Sequence, residues 1–288
     1  MVDEIAVLSG KGGTGKTTIT GAFAALAQNK ILADCDVDAP DLHILLHPKV
    51  IDSNDFVDSS VAYIDPSLCV YCGVCEEKCR FDAINPPNVN KIACEGCGVC
   101  AYVCPEGAIE MRERVSGHLF KSETRFGAMS HAKLLPGEGN SGKLVTAVRK
   151  QAENMAEREK KDHILIDGSP GIGCPVIATV TGLSTGVVVT EPTPSGIHDM
   201  NRIIKLMLQF KVKPLIIINK FDLNEDKSAE IKRAADNMGV TMLGRIPFDP
   251  IMTKSMVAAQ TLPEYAPENE IVEILENMWK KIMSISGS

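Results

Sequence analysis

Two sets of residues in this 288-residue chain have the types and spacing to do chemistry. The first is GKGGTGKTT, from Gly10 to Thr18. Gly10, Gly15, Lys16 and Thr17 fill the pattern G-x-x-x-x-G-K-[ST], in which backbone N–H groups cradle phosphates, the lysine reaches the β and γ oxygens and the hydroxyl holds Mg²⁺. Gly12, Gly13, Thr14 and Thr18 complete the loop and the turn after it, and Lys11 is one lysine more than the pattern needs. The second set is eight cysteines packed between Cys69 and Cys104. Cys69, Cys72, Cys75 and Cys79 follow C-x₂-C-x₂-C-x₃-C, and Cys94, Cys97, Cys100 and Cys104 repeat it, with Pro105 after the last. Eight thiolates could hold two iron–sulfur clusters or two Cys₄ zinc sites, and the repeated spacing suits a cubane better than paired C-x₂-C knuckles.

Both sets need a scaffold. EIAVLSGKGGTGKTTITGAFAALAQ reads as an apolar strand, a glycine-rich turn and a helix whose positive N-terminal end meets the phosphates, the context such a loop requires. A second strand, KILADCDVDAP, delivers Asp34, Asp36 and Asp38 at its carboxyl end. Four more apolar strands lie in HILIDGSPG, GVVVTEPTPSG, PLIIINKFD and MLGRIPFDP, with a helical pattern around Met200 to Phe210 between the middle two. Alternating strands and helices predict a parallel sheet covered on both faces.

From about Val61 to Arg114 the composition changes to cysteine, glycine and proline, in two similar copies, DPSLCVYCGVCEEKCRFDAI and NKIACEGCGVCAYVCPEGAI. Beyond this repeat, Leu144, Val148 and Ala152 sit at helical spacing. Ile271, Ile274, Leu275, Met278 and Ile282 give one apolar face to a last helix from Glu270 to Met283. Its polar face is acidic before Lys280-Lys281, which fits packing on the sheet rather than lying on a membrane.

A hydrophobic share of 44% and a charged share of 23% suit a chain that buries one sizeable core. The formal charge of -7 disfavours a grip on nucleic acid, and no basic patch with interleaved aromatics stands out. Asp3 and Glu4 precede only the short run Ile5 to Leu8, unlike a secretory leader, and no stretch approaches the roughly 20 apolar residues of a membrane helix. The expectation is a cytoplasmic protein with no membrane and no nucleic-acid partner. In that compartment ten cysteines point to metal ligation rather than disulfides.

GKGGTGKT resembles the deviant Walker A motif of the MinD/ParA/Mrp and nitrogenase iron-protein group of P-loop ATPases, whose first lysine reaches across a dimer to the partner's nucleotide. The resemblance implies that Lys11, in trans, and Lys16 stabilise phosphoryl-transfer charge. ADCDVDAPDL is similar to the group's switch I, which implies Asp36 as the residue that positions the attacking water, a role Asp38 or Asp41 could share. ILIDGSPG resembles Walker B and switch II; Asp167 is implied to hold Mg²⁺ through water and Thr17 to bind it directly, while Ser169 stands where many relatives have proline. INKFD is similar to the group's base-recognition strand end, implying Asn219 and Lys220 at the adenine and Pro247-Phe248 as the second wall. Lys220 and Asp222 also fit the guanine-reading N-K-x-D pattern; the resemblance favours ATP.

The cysteine pattern is similar to that of bacterial two-cluster ferredoxins, in which the fourth cysteine of each run ligates the other cluster. That implies Cys69, Cys72, Cys75 and Cys104 around one [4Fe–4S] cluster and Cys94, Cys97, Cys100 and Cys79 around the second; Arg80 stands where many ferredoxins have proline. Cys35 and Cys174 read as small buried thiols in preference to a metal site shared between subunits. His43, His47, His118, His131, His163 and His198 read as surface or loop residues. GEGNSGK, ending at Lys143, reads as a helix N-terminus with an exposed lysine rather than a second phosphate loop.

As a whole the chain resembles a MinD-superfamily P-loop ATPase with an inserted ferredoxin domain. That implies a doubly wound, mostly parallel α/β sheet from residues 1–60 and 115–288, and a small α+β ferredoxin domain over 61–114. ATP/ADP, Mg²⁺ and two [4Fe–4S] clusters are the implied cofactors, and a homodimer with nucleotide at its interface the implied assembly. The implied function is nucleotide-switched electron transfer to a redox partner protein. The alternative is an iron–sulfur or metallocofactor assembly or carrier protein in which ATP controls docking. A spatial-positioning role like that of MinD or ParA would want a basic amphipathic tail or a DNA-binding surface, and neither is evident.

Overall fold

In a computed structural model describing residues 2–139 and 141–286, Ile5 to Leu8 form a strand with no exposed side chain. Such a run lacks polar alternation because helices cover both faces of a central parallel strand. It belongs to β1 (Asp3–Ser9), which is followed by α1 (Lys16–Leu26), β2 (Lys30–Asp34), α2 (Leu42–Leu46) and the long β3 (Lys49–Ile64). The cysteine-rich stretch holds α3 (Val74–Glu77), β4 (Ile84–Asn85), β5 (Asn88–Val89) and α4 (Val99–Val103). Then come β6 (Ile109–Thr124), β7 (Gly127–Leu134), α5 (Ser141–Glu159), β8 (His163–Pro170), α6 (Cys174–Val180) and β9 (Thr185–Thr190). The chain finishes with α7 (Pro194–Gln209), β10 (Lys213–Asn219), α8 (Glu225–Asn237), β11 (Thr241–Ile246), α9 (Ile251–Val257), α10 (Leu262–Tyr265) and α11 (Glu270–Ser286).

The chain divides into two compact units, one made of Met1–Ser53, Leu119–Lys133 and Ser141–Ser288, the other of Asn54–His118 and Leu134–Asn140. The larger sheet runs in the order β11-β10-β9-β1-β8-β2-β7-β6-β3. β1 pairs in parallel with β8 on one side and β9 on the other, and β2, β7, β10 and β11 continue the parallel pairing outward. The strand order reverses direction at β1, so the loop after β1 lies at a topological switch point, where α/β sheets bind ligands. Register completes the placement: Val7 and Asp34 both lie opposite Asp167.

The first unit's core is built on α1 and α11. Phe23 stacks at a tilt on Trp279 with ring centroids 5.4 Å apart, and Ile271, Leu275, Met278 and Ile282 are buried against the same cluster. Ile274 is only partly covered. The C-terminal helix thus packs on the sheet layer as its periodicity predicts. No helix among the described residues is long and apolar enough to cross a membrane.

In the second unit α3 and α4 each begin after a left-handed glycine, Gly73 at φ 77° and Gly98 at φ 74°, so the two halves of the repeat share a backbone design. Val61, Ala62, Ile64, Ile84 and Ile109 form its small core with Cys75, Cys94 and Cys100. β4 and β5 pair antiparallel, Ile84 opposite Val89. The unit is longer than the 61–114 segment expected from composition, because hydrogen bonds recruit its flanks. Ser59 Oγ lies 2.9 Å from Ser116 Oγ and donates to Glu138 at 3.2 Å, while Arg114 donates to the same carboxylate at 2.9 Å.

One histidine departs from expectation. His131 is buried in β7, stacked on Phe120 and 2.8 Å from Ser122 Oγ, and burial lowers its pKa to about 4. Asn140 of the GEGNSGK loop lies outside the described residues; Ser141-Gly142-Lys143 open α5, with Lys143 exposed.

Ile282 is fully buried in the same apolar cluster as Trp279, the only tryptophan of the sequence. Ile282→Ala is expected to cost about 2–4 kcal/mol through lost apolar contact and a residual cavity, seen as a lower urea midpoint by Trp279 fluorescence. The ADP-binding constant should stay unchanged.

Candidate functional site

The glycine-rich loop connects β1 to α1 at the switch point. Gly15 caps α1 at φ 90°, and a Cβ there would lie 2.4 Å from Asn219 Nδ2, so only glycine lets the end of β10 approach. Asn219 Nδ2 donates to the Thr14 carbonyl at 2.8 Å, tying β10 to the loop from the other side. Between them opens a cavity of about 370 Å³ lined by the loop residues Gly12, Gly13, Gly15, Lys16, Thr17 and Thr18. Asp36 and Asp41 line it from after β2, Pro170 from the end of β8, Asn219 from the end of β10 and Lys220 from just after it.

Beside this cavity, one carboxylate gathers three side chains of α1. Asp167, fully buried at the carboxyl end of β8, accepts from Lys16 Nζ at 2.9 Å and Thr20 Oγ1 at 2.9 Å on one oxygen, and from Thr17 Oγ1 at 2.8 Å on the other. Asp36 lies 3.7 Å from Lys16 Nζ, and its backbone N–H donates to Asp34 at 3.0 Å. Burial opposes the Lys16 charge, but the charge and hydrogen bond of Asp167, aided by Asp36 and Asp34, leave its pKa above the ordinary lysine value. Burial, then the Asp167 charge, pushes Asp34 well above the carboxylate range, and its Oδ2 is buried with no hydrogen-bond partner. Burial raises Asp36 to about 6 against the pull of Lys16.

This arrangement fits a Mg²⁺-nucleotide. Mg²⁺ prefers one or two carboxylates plus phosphate oxygens and water, and Thr17 and Asp167 offer a hydroxyl and a carboxylate 2.8 Å apart. The loop's amides and Lys16 supply the cradle for the phosphates.

Lys11 points away from Lys16. Its Nζ sits 2.5 Å from Glu191 Oε1 and within 3.4 Å of Thr193 Oγ1 and 3.2 Å of Ser195 Oγ. Lys220 Nζ reaches the second Glu191 oxygen at 3.3 Å and the Gly13 carbonyl at 3.3 Å. Burial acts to raise the Glu191 pKa, yet the two lysines hold it below the ordinary glutamate value.

Pro247 and Phe248 are not among the residues lining the cavity, and the Phe248 N–H donates to Asp222 at 2.6 Å. Met252, Thr253 and Met256 of α9 line the cavity, with Thr18 Oγ1 donating to Met256 Sδ at 2.7 Å. Glu191, Thr20 and these α9 residues carried no recognisable signal in the sequence.

The eight clustered cysteines line two other cavities in the second unit. Cys69, Cys72, Cys75 and Cys104 wall one of about 20 Å³; Cys79, Cys94, Cys97 and Cys100 wall another of about 20 Å³. Ala108 N–H donates to Cys104 Sγ at 3.3 Å, and Ala83 N–H to Cys79 Sγ at 3.4 Å. Among the described residues no three His, Cys, Asp or Glu side chains converge as they would on a single metal ion; the thiols surround a space instead. Cys35 is buried, its thiol pushed up by burial and by the Asp34 charge, whereas Cys174 is exposed at the start of α6, contrary to expectation.

Asp167→Ala would leave the buried Lys16 ammonium facing Asp34 and Asp36 without its closest acceptor. It is expected to lower the stability of nucleotide-free protein by about 3 kcal/mol in urea titration, and adding Lys16→Met should recover part of that loss.

The profile of the "CobQ/CobB/MinD/ParA nucleotide binding domain" family matches residues 5–262. An uncharacterized ferredoxin of Methanocaldococcus jannaschii is 40% identical over 118 residues, 38% of this chain and 74% of the relative. An iron-sulfur cluster carrier protein of Pyrococcus horikoshii is 23% identical, with 99% of this chain and 89% of the relative covered. The septum site-determining protein MinD complexed with Mg-ADP, from Pyrococcus horikoshii OT3, has a similar fold at TM-score 0.61 and 18% identity, covering 98% of this chain and 96% of that one. With the loop at the switch point and the lysine–aspartate floor, these matches identify the chain as a member of the CobQ/CobB/MinD/ParA nucleotide-binding family, a P-loop ATPase of the MinD/ParA type.

Proposed function

We propose that this ATPase carries two [4Fe–4S] clusters and couples nucleotide-driven closure of a homodimer to electron transfer to a partner protein. The observation that carries the reading is the partition of the eight cysteines: each cavity takes three thiols from one run and the fourth from the other. That is the pairing of two-cluster ferredoxins, and the 40% identical relative is named a ferredoxin. The backbone N–H donors on Cys79 and Cys104 are the kind of contact that tunes such a group's potential. When bound, the clusters would supply one-electron storage.

On the nucleotide side, Lys16 turns from Asp167 to the phosphates, freeing Thr17 and Asp167 for Mg²⁺. Asp36, at the cavity wall, orients the attacking water. Lys11 leaves Glu191 and reaches the nucleotide of the second protomer, where a cation aimed at developing charge is most effective. Closure therefore requires an ion pair within one protomer to be exchanged for one between protomers. Asn219 and Lys220 stand at the base end, now with Met252 and Met256 as its wall.

The second reading, an iron–sulfur carrier whose docking ATP controls, is favoured by the relative of that name. Burial of Cys75, Cys94 and Cys100 in the cavity walls weighs against release of a cargo cluster, and so against that reading.

Lys11→Ala is expected to lower ATP turnover about 10²-fold or more while leaving ATP affinity within a few fold; unchanged turnover in a dimer removes the trans assignment. Anaerobically purified protein should contain iron and sulfide for two cubanes per chain. In an EPR-monitored titration, a non-hydrolysable ATP analogue with Mg²⁺ should shift a cluster potential by about 60 mV, roughly 1.4 kcal/mol of coupling for one electron. Identical potentials with and without nucleotide would favour the carrier reading.

A further inference from the structure

The two cysteine runs align residue for residue, Leu68-Cys69-Val70-Tyr71-Cys72-Gly73 against Ala93-Cys94-Glu95-Gly96-Cys97-Gly98. Their backbones agree at the position before the second cysteine, where Tyr71 has φ 58° and Gly96 φ 66°. That left-handed conformation is strained for any residue with a Cβ and rare for a bulky one. In the second run glycine is required twice over, since a Cβ on Gly96 would lie 2.3 Å from the Ser60 carbonyl oxygen. In the first run the chain places a tyrosine in the same conformation and leaves it 61% exposed, so burial of the ring does not offset the strain. Strain held at an exposed position points to a function.

The surroundings indicate which one. Leu68 is 52% exposed, Val70 is 60% exposed, and the thiol-bearing Cys72 between Tyr71 and Gly73 is exposed as well. Val70 and Cys72 belong to the wall of the first cavity, so an apolar and aromatic rim lies where that wall meets solvent. The second run has Ala93, Glu95 and Gly96 at the equivalent positions, so Leu68, Val70 and Tyr71 have no counterparts there, and the second cavity's exposed apolar residues, Phe81 and Val99, lie outside that loop. The unit around it, 54–118 with 134–140, has eleven Asp and Glu against five Lys and Arg, and so carries six of the chain's seven net negative charges. A second copy of this chain would bring the same sign of charge to the rim.

We propose that Leu68, Val70 and Tyr71 beside Cys72 are the docking surface for a one-electron redox protein whose contact face is basic around an apolar centre. The proposal rests on the reading that the first cavity holds a cluster. In the exchange one electron leaves the reduced cluster, which is oxidised by one equivalent, and the partner's centre is reduced by one; no bond or proton moves. Acidic surroundings steer the partner, and the rim supplies the desolvated contact.

The test uses ferricytochrome c, a basic one-electron haem protein, as the probe. Binding to the oxidised holoprotein and the rate of cytochrome reduction by the dithionite-reduced, desalted holoprotein are measured at 0.05 and 0.5 M salt. Tyr71→Gly, which takes the left-handed conformation without strain, should raise the denaturation midpoint, keep the full iron and sulfide content and the ATPase rate, and weaken both binding and electron transfer about tenfold or more. Val70→Glu, the residue of the second run, should weaken them similarly. Wild-type binding should fall steeply with salt. If Tyr71→Gly, with clusters intact, binds and reduces the probe as the wild type does, or if the wild type does not bind it at low salt, the docking surface is refuted. A wild-type chain without iron and sulfide refutes the cluster reading instead, and rim-dependent binding of the probe then decides docking separately.

Discussion

The nucleotide half of the molecule depends on the Asp167 carboxylate. Three side chains from one turn of α1, Lys16, Thr17 and Thr20, donate to its two oxygens, and the register of β2 on β8 sets Asp34 directly beside it. A fully buried carboxylate is stable only when its charge is neutralised and its lone pairs are filled. Lys16 does the first and the two hydroxyls help with the second. The floor is therefore a self-contained electrostatic unit, built before any ligand arrives, and its partners are those a Mg²⁺-nucleotide would claim. As proposed, nucleotide binding would exchange one set of ion contacts for another.

Glu191 plays the corresponding part at the rim of the loop. It gives one oxygen to Lys11 and the other to Lys220, and Lys220 also reaches the Gly13 carbonyl. Because both lysines share one counter-charge, neither is pinned as firmly as in a private pair, and the partly exposed setting keeps the attraction modest. For the trans role proposed for Lys11, such a weak hold serves better than deep burial would.

What the sequence disclosed follows from how local each signal is. The loop from Gly10 to Thr18, the strand ends carrying Asp34, Asp36 and Asp167, and the cysteine spacing are readable because their chemistry depends on residues a few positions apart. The pairing of Lys11 with Glu191 was not readable: they meet because β9 lies beside β1 in the sheet, and nothing near either residue encodes that adjacency. Met252 and Met256 were missed for the same reason, reaching the cavity through α9 rather than through the Pro247-Phe248 strand end. β3 escaped a pattern-based reading because it is largely exposed, so KVIDSNDFVDSSVAYI has no buried face to impose alternation over most of its length. His131 looked like a surface residue because a single ring between polar neighbours gives no sign of stacking on Phe120.

The division of the cysteines has a consequence for assembly. Cys104 completes the wall made by the first run, and Cys79 the wall made by the second. Neither half of the repeat can finish its own container, so the halves are interlocked like two links of a chain. A truncation or insertion that parts them spoils both walls at once. The two copies of the cysteine run thus form an object that cannot be divided into its copies.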